Sequence, residues 1–216
     1  MNADRVDIAI VGGGLAGGLI ALAVHRADPD LRIALIEQGE TLGGNHRWSW
    51  FSSDLDEAGA ALMAAFEQAR WDAGYDVRFV QHARTLSTGY RSLTSDDFHA
   101  ALKKLLPDDA VRLNAAAASL DQDGVTLESD ELFAPRIDAV LVIDCRPFEA
   151  SEHLTGGWQI FMGRRMRLNR PHGMTRPIIM DADVNQLGPD GGNGGAFRFV
   201  YSLPVSEDEV LSLIHI

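Results

Sequence analysis

Val6-Asp7-Ile8-Ala9-Ile10-Val11-Gly12-Gly13-Gly14-Leu15-Ala16-Gly17 carries a short apolar run straight into a G-x-G-x-x-G turn. Gly18-Leu19-Ile20-Ala21-Leu22-Ala23-Val24 continues it as a tightly packed helix. Residues 31–36 form a second apolar run that ends in Glu37. A strand before the glycines, a helix after them and an acid closing the next strand are the context in which this turn binds a dinucleotide. Gly12 permits the tight turn, Gly14 lets backbone approach a pyrophosphate, and Gly17 lets the helix lie close to the sheet. The phosphates would sit on the unsatisfied N–H groups at the helix start. Glu37 is placed to accept hydrogen bonds from an adenosine ribose. Its charge disfavours a 2′-phosphate, which argues against NADP at this site.

Moving outward, Gly43-Gly44-Asn45-His46 follows the second strand closely, and the glycine pair suggests backbone near the other side of a diphosphate. Arg47-Trp48-Ser49-Trp50-Phe51 is rich in aromatic residues. Residues 55–69 carry apolar side chains at helical spacing, and residues 76–80 alternate as a half-buried strand. Ser95 reads as an N-cap, with Asp96 and Asp97 in the first turn and Pro107 at the exit. Residues 111–127 suggest a small β-meander turning at Asp123-Gly124. Residues 138–146 return to a buried-strand pattern and are expected to rejoin the first sheet. That puts Asp144 and Arg146 at its carboxyl end, where open α/β sheets bind ligands. Beyond them, residues 157–163, 177–184 and 196–203 alternate as strands of a second, mainly antiparallel sheet, with a glycine-rich loop at 188–195.

The chain has 216 residues, 46% of them hydrophobic, which is enough for a real core. A net charge of −12 argues against nucleic acid and against membrane docking driven by global charge. The single cysteine, Cys145, excludes an internal disulfide and suits a reducing cytosol. No run approaches 18 apolar residues. The seven histidines show no ligand spacing, so no metal site is expected.

Several segments together resemble the bacterial lycopene β-cyclases. They are Gly12 to Gly17, Gly43-Gly44-Asn45-His46-x-Trp48-Ser49, Val142-Ile143-Asp144-x-Arg146, Gly157-x-Gln159-x-Phe161-x-Gly163, Pro171-His172-Gly173, Pro177-Ile178-Ile179-Met180-Asp181-Ala182 and Arg198-Phe199-Val200-Tyr201-Ser202-Leu203-Pro204. The resemblance runs from residue 6 to about 205, and its segments after residue 140 are more specific than the dinucleotide turn. It implies an α/β fold: a Rossmann-like FAD-binding domain at 1–150 with a β-meander insertion, and part of a mainly antiparallel substrate domain at 151–210. It also implies FAD, active when reduced, with NAD(P)H as external reductant and lycopene as the polyene substrate. The ψ ends would close to β-ionone rings without net redox change, after a protein acid protonates the terminal alkene. Gly12, Gly14, Gly17, Glu37, Gly43, Gly44, His46, Asp144 and Arg146 are the expected cofactor contacts. Pro147 stands where the family usually has glycine, and the loop at 188–195 is longer than the family's. The family continues past its L-P strand with L-I-E-D-T, whose glutamate is the favoured acid. Here Leu211-Ser212-Leu213-Ile214-His215-Ile216 follows and resembles a translated sequencing adapter. Residues 211–216 are therefore expected to be a non-native tail on a truncated, inactive chain, with the strand at 196–203 left without its neighbour.

Some assignments stay open on sequence alone. Trp48, Trp50 and Trp158 either line a polyene channel or belong to the core. Asp144 and Arg146 either pair with each other or sit beside the flavin. His46 fits a packing role better than that of an acid. Arg164, Arg165, Arg167, Arg170 and Arg176 lie in a stretch free of acids. They form either a solvated face or a contact with anionic lipid headgroups, which would place a cytoplasmic protein on the inner face of the cell membrane. The competing functions are an FAD-dependent monooxygenase or dehydrogenase, and a non-catalytic FAD-binding fragment.

Overall fold

The computed structural model describes residues 4–130, 134–147, 152–156, 161–186 and 197–215. In chain order the elements are β1 (Asp4–Val11), α1 (Leu15–Ala27), β2 (Ile33–Ile36), β3 (Arg47–Phe51), α2 (Glu57–Met63), β4 (Ala69–Trp71), β5 (Tyr75–Phe79), β6 (His82–Leu86) and β7 (Tyr90–Thr94). There follow α3 (Ser95–Leu105), β8 (Val111–Arg112), β9 (Ala117–Asp121), β10 (Gly124–Leu127), β11 (Arg136–Asp144), β12 (Phe161–Arg167), β13 (Ile178–Asp181), β14 (Val200–Pro204) and β15 (Glu209–His215).

Two compact units result, and they are interleaved in sequence. The first comprises Met1–Trp48, Asp56–Gln68 and Leu93–Glu149; the second comprises Ser49–Leu55, Ala69–Ser92 and Ala150–Ile216. A single boundary at residue 150 leaves segments 49–55 and 69–92 with the wrong partners. β5 pairs with β13 and β6 pairs with β5, so those strands build the second unit's sheet.

The first unit is built on a six-stranded sheet in the order β8-β2-β1-β11-β10-β9. β1 lies between two parallel neighbours, β2 and β11. That position buries it on both faces, which is why its sequence is almost continuously apolar. Ala9 and Ile10 are fully buried. Val11 stands level with Ile36 on one side and Asp144 on the other, so the carboxyl ends of the three strands finish together. β8 joins as a further parallel strand beside β2, so it is not part of the expected meander. The hairpin β9-β10 does form and continues the sheet antiparallel to β11. α1 and α3 pack where Gly18 leaves room: a Cβ there would stand 2.4 Å from the Phe98 ring.

α2 is shorter than the periodic run at 55–69 predicts, covering Glu57–Met63 only. Asp56 starts it by accepting the Gly59 N–H at 2.8 Å. Its end is set where residues 69–71 are recruited as β4 against β7, a tertiary pairing that overrides helical periodicity. α3 is capped by Thr94, whose Oγ1 accepts the Asp97 N–H at 3.0 Å, and Ser95 is its first residue. β3, β7 and β4 form a small three-stranded sheet.

The second unit's sheet has the order β12-β15-β14-β13-β5-β6 and is antiparallel except between β13 and β5. Its core gathers Trp71, Tyr90, Ile179 and Leu203, with Phe51, Tyr75, Tyr201 and Leu211 packed around them. The strand expected to lie unpaired is flanked on both sides, since β14 pairs with β13 and with β15. Residues 211–215, part of the stretch expected to be a non-native tail, lie within β15. The glycine-rich loop at 188–195 is outside the described residues.

Candidate functional site

The ends of β1, β2 and β11 bring together most of the residues singled out by the sequence. Gly12 turns the chain out of β1 with φ +104°, and its N–H donates to the Ile36 carbonyl at 2.8 Å. A Cβ at Gly12 would stand 2.9 Å from the Cys145 carbonyl oxygen. The turn is therefore glycine because it lies against the end of β11, and the Cys145 N–H closes the join by donating to the Val11 carbonyl at 2.7 Å. A Cβ at Gly17 would meet the Gly12 carbonyl oxygen at 2.0 Å, an impossible approach between two pieces of backbone. Helix, turn and two strands are thus locked around Gly12.

Gly14 differs from its neighbours. It is exposed, and nothing lies within 4 Å of the place a Cβ would take. It is also the N-cap of α1, and no side chain caps the N–H groups there. Open space over unsatisfied donors at the positive end of a helix is what an anionic diphosphate needs.

Glu37 fixes the turn from the side. Its Oε2 accepts the Gly13 N–H and its Oε1 accepts the Gly39 N–H, each at 2.8 Å. Each carboxylate oxygen has a second lone pair, so a ribose hydroxyl can still be accepted. Gly13, which the sequence reading passed over, is crowded by side chains: a Cβ there would stand 2.5 Å from the Leu42 side chain and 2.9 Å from the Glu37 Cβ. The second glycine pair docks on the first, with the Gly43 N–H donating to the Gly13 carbonyl at 2.8 Å. Gly43 and Gly44 both have positive φ, +82° and +57°. A Cβ at Gly43 would strike Trp48 at 2.8 Å, whereas at Gly44 the space is open and only the conformation asks for glycine. His99, another residue the sequence did not flag, accepts the Leu42 N–H on Nδ1 at 3.1 Å from 57 residues away. No local pattern announces so distant a partner.

At the end of β11, Asp144 and Arg146 pair with each other. The Arg146 backbone N–H and Nε–H donate to Oδ1 at 3.0 and 2.9 Å, and Nη2–H donates to Oδ2 at 2.9 Å. The guanidinium holds the Asp144 carboxyl below the ordinary carboxylate range. Burial, followed by the Asp144 charge, pushes the Cys145 thiol up, so it stays protonated and inert at neutral pH. His46 is exposed. Its carbonyl accepts the Ser95 N–H at 3.0 Å and its ring lies 6.0 Å from Trp48.

Trp48 packs edge-on against Phe98 at 5.2 Å and walls the Gly43 turn. Trp50 is half-buried in β3, and Trp158 lies outside the described residues. Of the arginine group, Arg165 is paired with Glu209 across the β12-β15 ladder, and Arg176 approaches Asp76 at 3.9 Å. Arg164, Arg167 and Arg170 are exposed and carry no ion pair among the described residues. No helix among the described residues is long and apolar enough to cross a membrane.

Residues 7–212 match the family model described as lycopene cyclase protein. Over 205 residues the chain is 40% identical to the lycopene beta-cyclase of Pseudescherichia vulneris and 38% identical to that of Pantoea ananas. Each match takes in 95% of this chain and 50% of the relative, so the chain spans about half the length of the curated relatives it matches. Among solved structures, a geranylgeranyl bacteriochlorophyll reductase-like protein of Thermoplasma acidophilum superposes with a TM-score of 0.65 at 16% identity. It covers 99% of this chain and 57% of its own, and the likeness is one of fold.

Proposed function

The chain belongs to the lycopene cyclase protein family, and from that premise we propose that its first unit holds FAD in the service of lycopene cyclisation. The reaction is the closure of the ψ ends of lycopene to β-ionone rings, giving γ- and then β-carotene. A protein acid protonates the terminal alkene and a proton is lost after the ring closes. Bound FAD, kept reduced by NAD(P)H, would supply a fixed negative charge close to the cationic substrate, the kind of stabilisation worth most in a dry pocket. The chain's own residues do the holding. The uncapped α1 amides take the diphosphate over Gly14, and Glu37 takes the ribose while bracing the turn through Gly13 and Gly39. The Gly43-Gly44 turn closes the other side. Asp144 and Arg146, at the end of the adjacent strand, form an ion pair.

One observation carries the cofactor assignment. Gly12, Gly13 and Gly17 are each pinned by neighbouring atoms, while Gly14 between them faces empty space. Three pinned glycines are held by neighbouring atoms; the fourth, the N-cap of α1, has no neighbour within 4 Å of its would-be Cβ, which leaves room for a ligand against it.

Because the chain spans about half the relatives' length, the 216-residue chain is proposed to bind flavin without completing the cyclisation. The test is expression in a lycopene-accumulating host. The purified chain is expected to be yellow with a flavin spectrum and the host to contain no β-carotene. A colourless folded protein would overturn the cofactor assignment, and β-carotene would overturn the proposed inactivity. Peripheral contact with anionic headgroups is assigned to Arg164, Arg167 and Arg170, with Arg165 excluded by its tie to Glu209.

A further inference from the structure

α3 grips the second glycine turn at both ends. The Leu42 N–H donates to His99 Nδ1 at 3.1 Å, and the Ser95 N–H donates to the His46 carbonyl at 3.0 Å. Ser95 and His99 stand one helical turn apart, so they share a face of α3. Between the two grips, Gly43 lies against the same helix. A Cβ on it would stand 3.1 Å from the Ser95 Cβ and 3.2 Å from the Phe98 ring. Held in this way, the Gly43 N–H reaches the Gly13 carbonyl at 2.8 Å and docks one glycine turn on the other.

The two grips differ in kind. The Ser95 N–H is one of the donors that a helix start leaves free, and the backbone supplies it whatever the side chain. The His99 grip is made by the side chain. A backbone N–H can only donate, so Nδ1 is the bare nitrogen of a neutral ring and the proton sits on Nε2. Leu42 is fully buried, and its side chain lies over Gly13. Among the described residues no other acceptor takes its amide. Without His99 that amide becomes a buried, unpaired donor, an arrangement folded chains avoid. The segment relieves it by moving away from α3 towards water, which draws Gly43 off the Gly13 carbonyl.

We propose that His99 is a positioning residue for the flavin nucleotide, acting through Leu42 to keep the Gly43-Gly44 turn closed over the Gly12–Gly17 turn. The proposal rests on the cofactor assignment above and adds the side chain that sets what fraction of the chain is ready to bind. Apparent affinity falls in proportion to that fraction.

The test compares the 216-residue parent with His99→Leu and His99→Asn. Leucine is apolar, favours helix and accepts nothing. Asparagine carries Oδ1 one bond beyond Cγ, as histidine carries Nδ1, and so restores the acceptor. FAD is titrated into each apo-protein, and hydrogen–deuterium exchange of residues 38–46 is followed without flavin, with β1 and β11 as internal references. For the loss of one buried hydrogen bond, His99→Leu is expected to weaken FAD binding roughly tenfold and to speed exchange at 38–46 by a similar factor. The references should exchange as in the parent. His99→Asn should return both readouts to within about threefold of the parent, a rescue that a purely space-filling role would not give. His99→Asn behaving like His99→Leu, or a His99→Leu chain that fails to fold, would overturn the proposal. FAD bound equally by all three overturns the positioning role and leaves the cofactor assignment standing. Exchange that responds to position 99 in a parent that binds no FAD upholds the grip on Leu42 and removes the cofactor assignment.

Discussion

Gly14 and Gly17 are glycine for opposite reasons, and substitution separates them. A methyl at position 17 would be driven into the Gly12 carbonyl oxygen at 2.0 Å, a backbone atom that cannot swing aside as a side chain can. Gly17→Ala is expected to lose at least about 3 kcal/mol of stability, at the upper end for overpacking. A methyl at position 14 meets nothing. Gly14→Ala should stay within about 1 kcal/mol of the parent, as expected for losing a glycine N-cap, yet weaken FAD binding by roughly tenfold or more through crowding of the diphosphate. Urea denaturation beside a flavin titration resolves both, and a Gly14→Ala protein that binds FAD normally would count against the cradle. Asp144 gives a pH prediction. Its carboxyl is lowered by the Arg146 guanidinium, so their pairing contributes stability that is complete above the ordinary carboxylate range. That contribution is lost as pH falls through the lowered value, when the folded state must take up the proton. Both side chains are partly exposed, so the effect is small. Arg146→Gln should flatten the acid limb of a urea-midpoint profile, and an unchanged limb would show that the pair contributes nothing.

At the scale of elements, what the sequence reveals depends on how local the cause is. β1, α1, β2 and β11 were legible because burial on both faces writes continuous apolar runs, and because the glycine turn is fixed by neighbours a few residues away. β4, β6 and β7 were not. They are short and mixed in composition, and partners rather than propensity define them, as with residues 69–71 against β7. The cap of α3 was misplaced by one residue because Thr94 and Ser95 are both good caps, and only backbone geometry chooses between them. In the site, the glycines and Glu37 could be found by spacing, whereas His99 and the Glu209 partner of Arg165 join the picture through tertiary contact alone. β15 is the element where sequence and structure diverge most. A disposable tail could be removed without consequence, but β15 pairs along β12 on one side and β14 on the other, and Leu211 packs against the aromatic core. Ending the chain after Val210 is therefore expected to open the edge of β14, strip β12 of its ladder and promote aggregation. Light scattering and circular dichroism on the shortened chain would show it, and a soluble, equally stable protein would mean that residues 211–215 contribute no structure.

At the scale of the whole molecule the charge distribution sets a competition. A chain carrying −12 is repelled by an anionic bilayer, so any attraction has to be local and short-ranged. Arg164, Arg167 and Arg170 are exposed and unpaired among the described residues, and they lie close to exposed Met162 and Leu168. At about 1 kcal/mol per basic residue near an anionic surface, three arginines supply about 3 kcal/mol, roughly a hundredfold in partitioning. The rest of the molecule opposes that gain through charges that salt screens beyond about 8 Å at physiological ionic strength. The balance predicts binding that depends on lipid charge. Flotation with vesicles of phosphatidylglycerol and phosphatidylcholine should carry the parent chain upward, pure phosphatidylcholine should not, and Arg164→Ala/Arg167→Ala/Arg170→Ala should abolish the difference. Arg165→Ala should weaken it without abolishing it, because Glu209 then loses its partner while Arg164, Arg167 and Arg170 remain. If the triple variant floats as well as the parent, the arginines are a solvated face, and the polyene must reach the protein without help from them.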